Sequence, residues 1–337
     1  MQRLLSTKKA RSIIGRFSDS GVLVIGDLIM DHFIWGSVTR ISPEAPVPVV
    51  EVTEETLLLG GSANVVNNVH SLGGRCYVGG VVGRDEDGRR MIREIKRRGI
   101  SANGVVVDPG RPTTIKTRVI AHHQQVVRFD RERKAPLRSE AVARVLDYIK
   151  KVIRYADVVV VSDYAKGLVT EELVSTVRGL CERFRKPLVV DPKVEHFDFY
   201  KGATVVTPNN IEASLASGIE IKDETSLRKA GRALIERLGC RALLITRGEH
   251  GMSLFEDGSE THIPTVAKEV FDVSGAGDTV VGVMALALAA GASFREAAVL
   301  ANLAAGCVVE KVGTATVSPD ELMDAVSSGL VPRDMGD

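Results

Sequence analysis

Residues Val158-Val-Val-Val-Ser-Asp-Tyr164 run from an unbroken apolar tetrad into three polar side chains. A short β-rich run that is apolar at every position, rather than at every second one, suits a strand covered by helices on both faces. Four further runs repeat the pattern. Val22-Leu-Val-Ile25 enters Gly26-Asp27, and Leu188-Val-Val190 enters Asp191-Pro192-Lys193. Thr204-Val-Val206 enters Thr207-Pro208-Asn209, and Leu243-Leu-Ile245 enters Thr246-Arg247-Gly248. Helical patterns lie between these runs. The expectation is therefore an α/β fold with a doubly wound, mainly parallel sheet and helices on both faces. Polar residues collect at the carboxyl ends of the strands, where open α/β sheets place their ligands, although solvated loop starts would also be polar.

Residues 36–59 and 104–130 depart from this alternation. The first segment holds Pro46-Val-Pro-Val-Val-Glu-Val52 and Leu57-Leu-Leu59. The second holds Gly104-Val-Val-Val107, Ile115-Lys-Thr-Arg-Val-Ile120 and Gln125-Val-Val-Arg128. Together they read as antiparallel strands of one small sheet, split in sequence, that forms a lid or an oligomer contact. With no internal repeat, low-complexity tract or clear interdomain linker, residues 1–337 read as one domain carrying that lid.

At 337 residues, 44% hydrophobic and 26% charged, the composition is that of an ordinary soluble globular protein. A net charge of +1 with both signs scattered argues against a nucleic-acid groove or a polybasic membrane patch. Cys76, Cys181, Cys240 and Cys307 lie far apart with no C-x-x-C pair, as reduced thiols of a cytoplasmic protein would. The histidines show no zinc-ligand spacing, and His122 and His123 are adjacent rather than on one helix face. The Ala/Gly-rich stretch after Thr279 reads as a core helix rather than a membrane span. The basic residues 1–20 lack a secretory core and read as a terminal surface helix, with a targeting peptide as the alternative.

Four motifs carry chemistry. Gly60-Gly-Ser-Ala-Asn64 precedes a helical pattern that runs to Leu72-Gly-Gly74. Its glycines would let backbone approach a ligand and Asn64 could meet a hydroxyl, unless the stretch is only a turn with a capping Asn. Asn209-Asn-Ile-Glu212 places an amide and a carboxylate on neighbouring positions of one helix face. That suits the water shell of Mg²⁺, though helix capping explains the pair equally well. Thr246-Arg-Gly-Glu-His-Gly251 could pass a nucleotide, but by itself favours a hairpin before Met252-Ser-Leu-Phe255.

The fourth motif, Asp272-Val-Ser-Gly-Ala-Gly-Asp278, precedes the apolar run Val280 to Ala290. No Gly-Lys dipeptide occurs, so it is not a Walker A loop, and Val280 stands where G-x-G-x-x-G requires its last glycine. What remains is an anion hole of Gly275, Ala276 and Gly277 at a helix start, with an acid beside it. An acid there makes sense if it handles a proton. In phosphoryl transfer Asp278 would act as general base on the acceptor hydroxyl while the glycine-rich turn stabilises the moving phosphoryl group.

The glycine pair with Asn64, the N-x-x-E and the DVSGAGD stretch occur in the order found in the ribokinase-like sugar kinases, and the chain resembles that family over roughly residues 20 to 325. The resemblance implies a doubly wound α/β domain with a small β lid, and transfer of the γ-phosphate of MgATP to a sugar hydroxyl. It makes Asp278 the base and assigns the Asn209, Asn210, Ile211 and Glu212 segment to ATP and Mg²⁺, with Thr246, Gly248 and Gly251 beside it. Asp31, Gly60, Gly61 and Asn64 would hold sugar hydroxyls. Lys193 is the candidate for a substrate phosphate, with the acidic Glu195 nearby as a departure from the pattern.

Arg40-Ile-Ser-Pro-Glu-Ala-Pro-Val-Pro-Val-Val50, Ser162-Asp-Tyr-Ala-Lys-Gly167, Glu269 to Asp278 and Gly313-Thr-Ala-Thr-Val-Ser-Pro319 narrow the resemblance to the branch acting on a heptose 7-phosphate. For that branch the implied product is the 1,7-bisphosphate, on the route to the activated heptose of lipopolysaccharide. No H-x-G-H motif of a fused nucleotidyltransferase occurs, so the kinase alone is expected. A kinase for another sugar, sugar phosphate or nucleoside is the nearest rival, and a sugar-binding protein without turnover a more distant one. The resemblance also leaves room for a monovalent cation near Asp272 and Ser274, and for a homodimer formed through lid strands.

Overall fold

The computed structural model describes residues 4–122, 124–256, 258–267, 269–328 and 331. Both ends of the expected 1–337 domain, position 123 of the expected lid and its histidine lie outside the described residues. The first part of the chain forms α1 (Thr7–Ile14), β1 (Gly21–Gly26), β2 (Leu28–Ile41), β3 (Pro48–Gly61), α2 (Ser62–Ser71), β4 (Arg75–Gly83), α3 (Glu86–Arg97) and β5 (Ser101–Asp108). Next come β6 (Thr114–Ala121), β7 (Gln124–Arg131), α4 (Ser139–Val152), β8 (Val158–Ser162), α5 (Glu171–Phe184), β9 (Leu188–Asp191) and β10 (Val205–Val206). Then follow α6 (Asn210–Ser217), α7 (Glu224–Leu238), β11 (Ala242–Thr246), β12 (Met252–Glu256), β13 (Ser259–Ile263), α8 (Ala276–Ala289), α9 (Phe294–Val309) and α10 (Pro319–Ser327).

Among the described residues the main sheet has nine strands in the order β13-β12-β11-β10-β9-β8-β1-β4-β5. It is parallel from β11 to β5, and β12 and β13 close it as antiparallel hairpins. Alternate residues of the central strands enter different cores. Val22, Val24, Val158 and Val160 pack with α1, α2, α8, α9 and α10 on one face. Leu23, Ile25, Val159 and Val161 pack with α4, α5 and α7 on the other. This two-sided burial is the physical reason for the unbroken apolar runs. Val280 to Ala287 of α8 are all buried, which accounts for its apolarity on every side. No helix among the described residues is long and apolar enough to cross a membrane. At the start of the chain, α1 buries Ala10, Ile13 and Ile14 and leaves its basic side outward.

Among the described residues a second sheet has four strands in the order β3-β2-β6-β7. It differs from expectation in three ways. It begins at Leu28, before residue 36, because β2 continues almost directly from the end of β1. The β2–β6 pair is parallel, because the chain passes through β4, α3 and β5 before entering β6. Gly104-Val-Val-Val107, expected in the small sheet, lies in β5 at the edge of the main sheet, parallel to β4 with Gly104 opposite Gly79. The reason is packing: Val106 enters one core, Val105 and Val107 pack against the other, and Gly104 leaves space for the Tyr148 ring.

Candidate active site

The main sheet reverses its order between β1 and β8, and at this switch point the loops after β8, β9, β10 and β11 meet the amino end of α8. Asp278 stands in the first turn of α8 and is 5% exposed. Each oxygen of its carboxylate accepts a hydrogen bond. The Tyr164 hydroxyl donates to Oδ1 at 2.6 Å, and the side-chain amide of Asn64 donates to Oδ2 at 2.9 Å. Asn64 is no helix cap: it lies inside α2, fully buried, with Gly61 at the cap position. Burial raises the Asp278 carboxyl most and Asp31 adds to the rise, against the two donors and Lys116, leaving it pushed up to about 6. A carboxylate in that range is ionised at neutral pH and basic enough to accept a proton.

The turn before α8 depends on Gly275, whose φ is +80°. A Cβ there would sit 2.6 Å from the Asn64 amide nitrogen, so glycine serves both the left-handed backbone and the contact that holds Asp278. The expected anion hole needs one revision. The Ala276 N–H donates to the Val273 carbonyl at 3.2 Å, because the turn closes on itself at that point. The N–H groups of Gly277 and Asp278 come next in the first turn, where an α-helix supplies no acceptor of its own. Gly277 is the residue of this turn that lines both cavities of the site.

The larger cavity, about 580 Å³, lies between the β11–β12 turn and the helices α8 and α9. Thr246, Gly248 and Gly251 line it, as do the apolar side chains of Met252, Val273 and Val309. The 246–251 motif is thus both the hairpin favoured by its sequence and a wall of this cavity. The size and apolar lining suit a nucleoside. The smaller cavity, about 150 Å³, continues from it past Thr246 and Gly277 toward Tyr164, and is lined by Asp191, Lys193, Thr207, Asn209 and Glu212.

In the N-x-x-E motif the capping reading is realised. The Asn209 side chain accepts from the Glu212 N–H at 2.9 Å, and Glu212 Oε2 accepts from the Asn209 N–H at 3.0 Å. Asn210 begins α6, and Ile211, 71% exposed, turns its side chain to solvent rather than into the cavity. Lys193 Nζ donates to Glu212 Oε1 at 2.9 Å within the smaller cavity. Burial alone would lower the Lys193 ammonium, but Glu212 and Asp191 hold it above its usual value. Asp191 is raised well above the usual carboxylate range by burial and by the charges of Asp278 and Glu212. Two acids facing one cavity are a donor set that suits a divalent cation. No group of three or more His, Cys, Asp or Glu that could hold a metal ion occurs among the described residues.

On the other side of Asp278 the small sheet supplies the wall. Asp31 of β2 is buried and accepts from Arg118 at 2.5 Å. Gly60 is required beside it, since a Cβ there would lie 1.9 Å from Asp31 Oδ2. Lys116 pairs in register with Asp31, and Arg118 with Arg128 across β6 and β7. Successive even positions of β6 share a face, so Lys116, Arg118 and Arg128 present their charges together. Burial lowers the Lys116 ammonium, Asp31 opposes that, and Arg128 and Lys166 add to it. Arg118 is paired with Asp31, and Arg128 donates to both oxygens of Asp130 at 2.9 and 2.6 Å. The wall thus carries three cations against two carboxylates and keeps a net positive charge toward an approaching anion.

Tyr164, Asp191, Lys116, Arg118 and Arg128 are site residues that the motifs alone do not mark. The first two follow strand ends already singled out, so position marked them. The alternation of Lys116 and Arg118 within an apolar strand was the available sign for the others.

A family model described as pfkB family carbohydrate kinase matches residues 19–321. The chain belongs to the pfkB family of carbohydrate kinases. Among relatives of this pfkB-family kinase, the bifunctional protein HldE of Geobacter metallireducens is 46% identical over 323 residues, covering 96% of this chain and 66% of that protein. The protein of the same name from Pelobacter propionicus is 48% identical over 324 residues, with the same coverage of 96% and 66%. The chain thus spans slightly less than two thirds of the length of these relatives. In fold, the pfkB-family kinase is similar to phosphofructokinase-2 from Escherichia coli in complex with substrates and products, with a TM-score of 0.77 at 18% identity over 92% of this chain and 99% of that one. It is also similar to Arabidopsis thaliana ribokinase complexed with ribose and ATP, with a TM-score of 0.73 at 18% identity over 91% and 98% of the two chains.

Proposed function

We propose that this protein transfers the γ-phosphate of ATP to the anomeric hydroxyl of D-glycero-β-D-manno-heptose 7-phosphate, giving the 1,7-bisphosphate. The observation that carries the chemistry is the buried Asp278 carboxylate, held on both oxygens between a nucleoside-sized cavity and a cationic wall. With the acceptor against that wall, its hydroxyl loses a proton to Asp278 as its oxygen attacks the γ-phosphorus and the bond to ADP breaks. The first-turn amides of α8 receive the charge of the transferring group. Asp31 takes an acceptor hydroxyl with the backbone at Gly60 and Gly61. Asn64, expected to hold one too, is fully buried with its amide on Asp278 and its Oδ1 on Asn68, and acts through Asp278 instead. Asn209, Glu212 and Thr246 lie along the nucleotide.

The heptose phosphate reading draws on the Arg40–Val50, Ser162–Gly167 and Gly313–Pro319 stretches and on the cations of the small sheet, which fit a phosphorylated acceptor better than a neutral sugar. In this reading the small sheet is a lid, and Lys116, Arg118 and Arg128 take the sugar phosphate. Lys193, pointed at Glu212, belongs to the nucleotide phosphates. Glu212 and Asp191 would hold Mg²⁺ through waters, and the ion would supply charge neutralisation for the phosphates. Asp272, which accepts from the Ser274 and Gly313 N–H groups, adjoins the segment where a monovalent cation would act. A cytoplasmic homodimer is part of the proposal. Along the exposed edge strand β7, Val127 and Phe129 offer an apolar surface for a second copy, and sedimentation of the purified protein as a monomer would exclude it.

The test is ADP release over a panel of acceptors at matched concentration. Heptose 7-phosphate should give the highest kcat/KM, and faster turnover of free ribose, fructose or unphosphorylated heptose would contradict the proposal.

A further inference from the structure

Resting on the reading of Asp278 as the base, we infer that Tyr164 is its positioning residue: the phenol fixes one carboxylate oxygen while Asn64 fixes the other, so that the remaining lone pairs are aimed at the acceptor hydroxyl. Two donors on two oxygens, at 2.6 and 2.9 Å, remove the rotation that a single hydrogen bond would leave. Each oxygen keeps lone-pair capacity for the incoming proton.

Both donors are themselves held. Asn68 donates to Asn64 Oδ1 at 3.3 Å, and the Thr279 hydroxyl, one residue after Asp278, donates to Asn68 Oδ1 at 3.0 Å. Tyr164 sits in a loop gathered around the buried carboxylate of Asp27. That carboxylate accepts from the N–H groups of Tyr164 at 3.0 Å, Lys166 at 3.0 Å and Leu168 at 3.4 Å. Ala165, next in the loop, takes φ +53°, a conformation such a network must impose on a non-glycine residue. The ring is flanked by Lys116 Nζ from the lid, 4.8 Å from its centroid, and by Lys193 Nζ from the nucleotide side, 5.7 Å away.

The phenol is not a second base. Burial and the adjacent Asp278 hold its pKa well above the usual value, so it keeps its proton while the acceptor proton passes to Asp278. The charged groups facing Asp278 are Asp31 from β2, Lys116 from β6 and Asp191 at the end of β9. Removing the phenol takes a donor from the ionised carboxylate while both acids stay. The carboxyl pKa then rises, and the acid limb of the rate profile moves to higher pH.

The test is the pH dependence of kcat and KM for Tyr164→Phe at saturating ATP. The expected outcome is a fall in kcat of about 10- to 100-fold with acceptor KM little changed, and an acid limb displaced upward by about 1 pH unit. Tyr200→Phe is the comparator. That phenol donates to the buried Asp163 at 2.6 Å without touching Asp278, so its acid limb should stay in place. Because either variant could lose packing, 3-fluorotyrosine placed at position 164 supplies a second readout. It preserves the ring while strengthening the donor, and should move the limb to lower pH.

A wild-type kcat and limb in Tyr164→Phe, a loss confined to acceptor KM, or an unmoved limb with 3-fluorotyrosine would overturn the positioning role. Retained turnover in Asp278→Asn would instead remove the base reading on which it rests.

Discussion

In the main sheet, β1 and β8 are buried at every position, whereas in the small sheet β7 is exposed at all eight. The first arrangement comes from apolar residues that enter two cores, one on each side of the sheet. The second is a wall with Arg128 and Asp130 along it, paired to a strand bearing Lys116 and Arg118. The two regions meet at Asp278 and divide the work. In the proposed reaction the body holds Asp278 and its two donors, and the small sheet offers charge to whatever approaches that carboxylate. Substitutions in the body should therefore act mainly on kcat, and substitutions on the small sheet mainly on acceptor KM.

The largest effect is expected for Asp278→Asn, on the body side. Turnover should fall by about 10² to 10⁴ while nucleotide affinity, followed by calorimetry, is preserved. Lys116→Ala should raise the KM for a phosphorylated acceptor by roughly 10- to 100-fold, the loss of one charge-assisted contact. At a pH well above the acid limb its kcat should hold, as should its KM for an unphosphorylated analogue. The limb itself should move upward, because Lys116 no longer favours the ionised Asp278. A kcat loss as large as that of Asp278→Asn would break the division between the two regions.

Gly275→Ala tests the frame itself. A side chain at φ +80° and 2.6 Å from the Asn64 amide costs about 1–2 kcal/mol in backbone strain alone. The unfolding midpoint should fall, and kcat should fall with it because Asn64 is displaced from Asp278.

Acidification should have the mildest effect near neutrality. The base works ionised, and burial has raised its carboxyl to about 6, so kcat/KM should be flat above that pH. Below it, the rate should drop toward tenfold per unit. A limb near the ordinary aspartate range would mean that Asp278 is solvated during catalysis.

The same contrast governs how much could be read from the chain before its structure. Continuous apolar runs such as Val158–Val161 identify the body because two-sided burial removes every polar position. The turn before α8 and the capping pair Asn209 and Glu212 could be read because their contacts span three or four residues. The small sheet was harder. Its β5 neighbour was drawn into it because three valines in a row fit either sheet, and only the packing against Tyr148 and the two cores decides. Its charged wall depends on pairings such as Arg118 with Asp31, 87 residues apart, which no local pattern encodes. Tyr164 likewise carries no local sign of a role, because its partner Asp278 lies 114 residues away.

The most direct test is ³¹P NMR of the product formed from heptose 7-phosphate and ATP. The account predicts a sugar carrying two phosphates, with the new resonance coupled to the anomeric proton. A new phosphate on any other carbon, or ADP released with no second sugar phosphate, would contradict it.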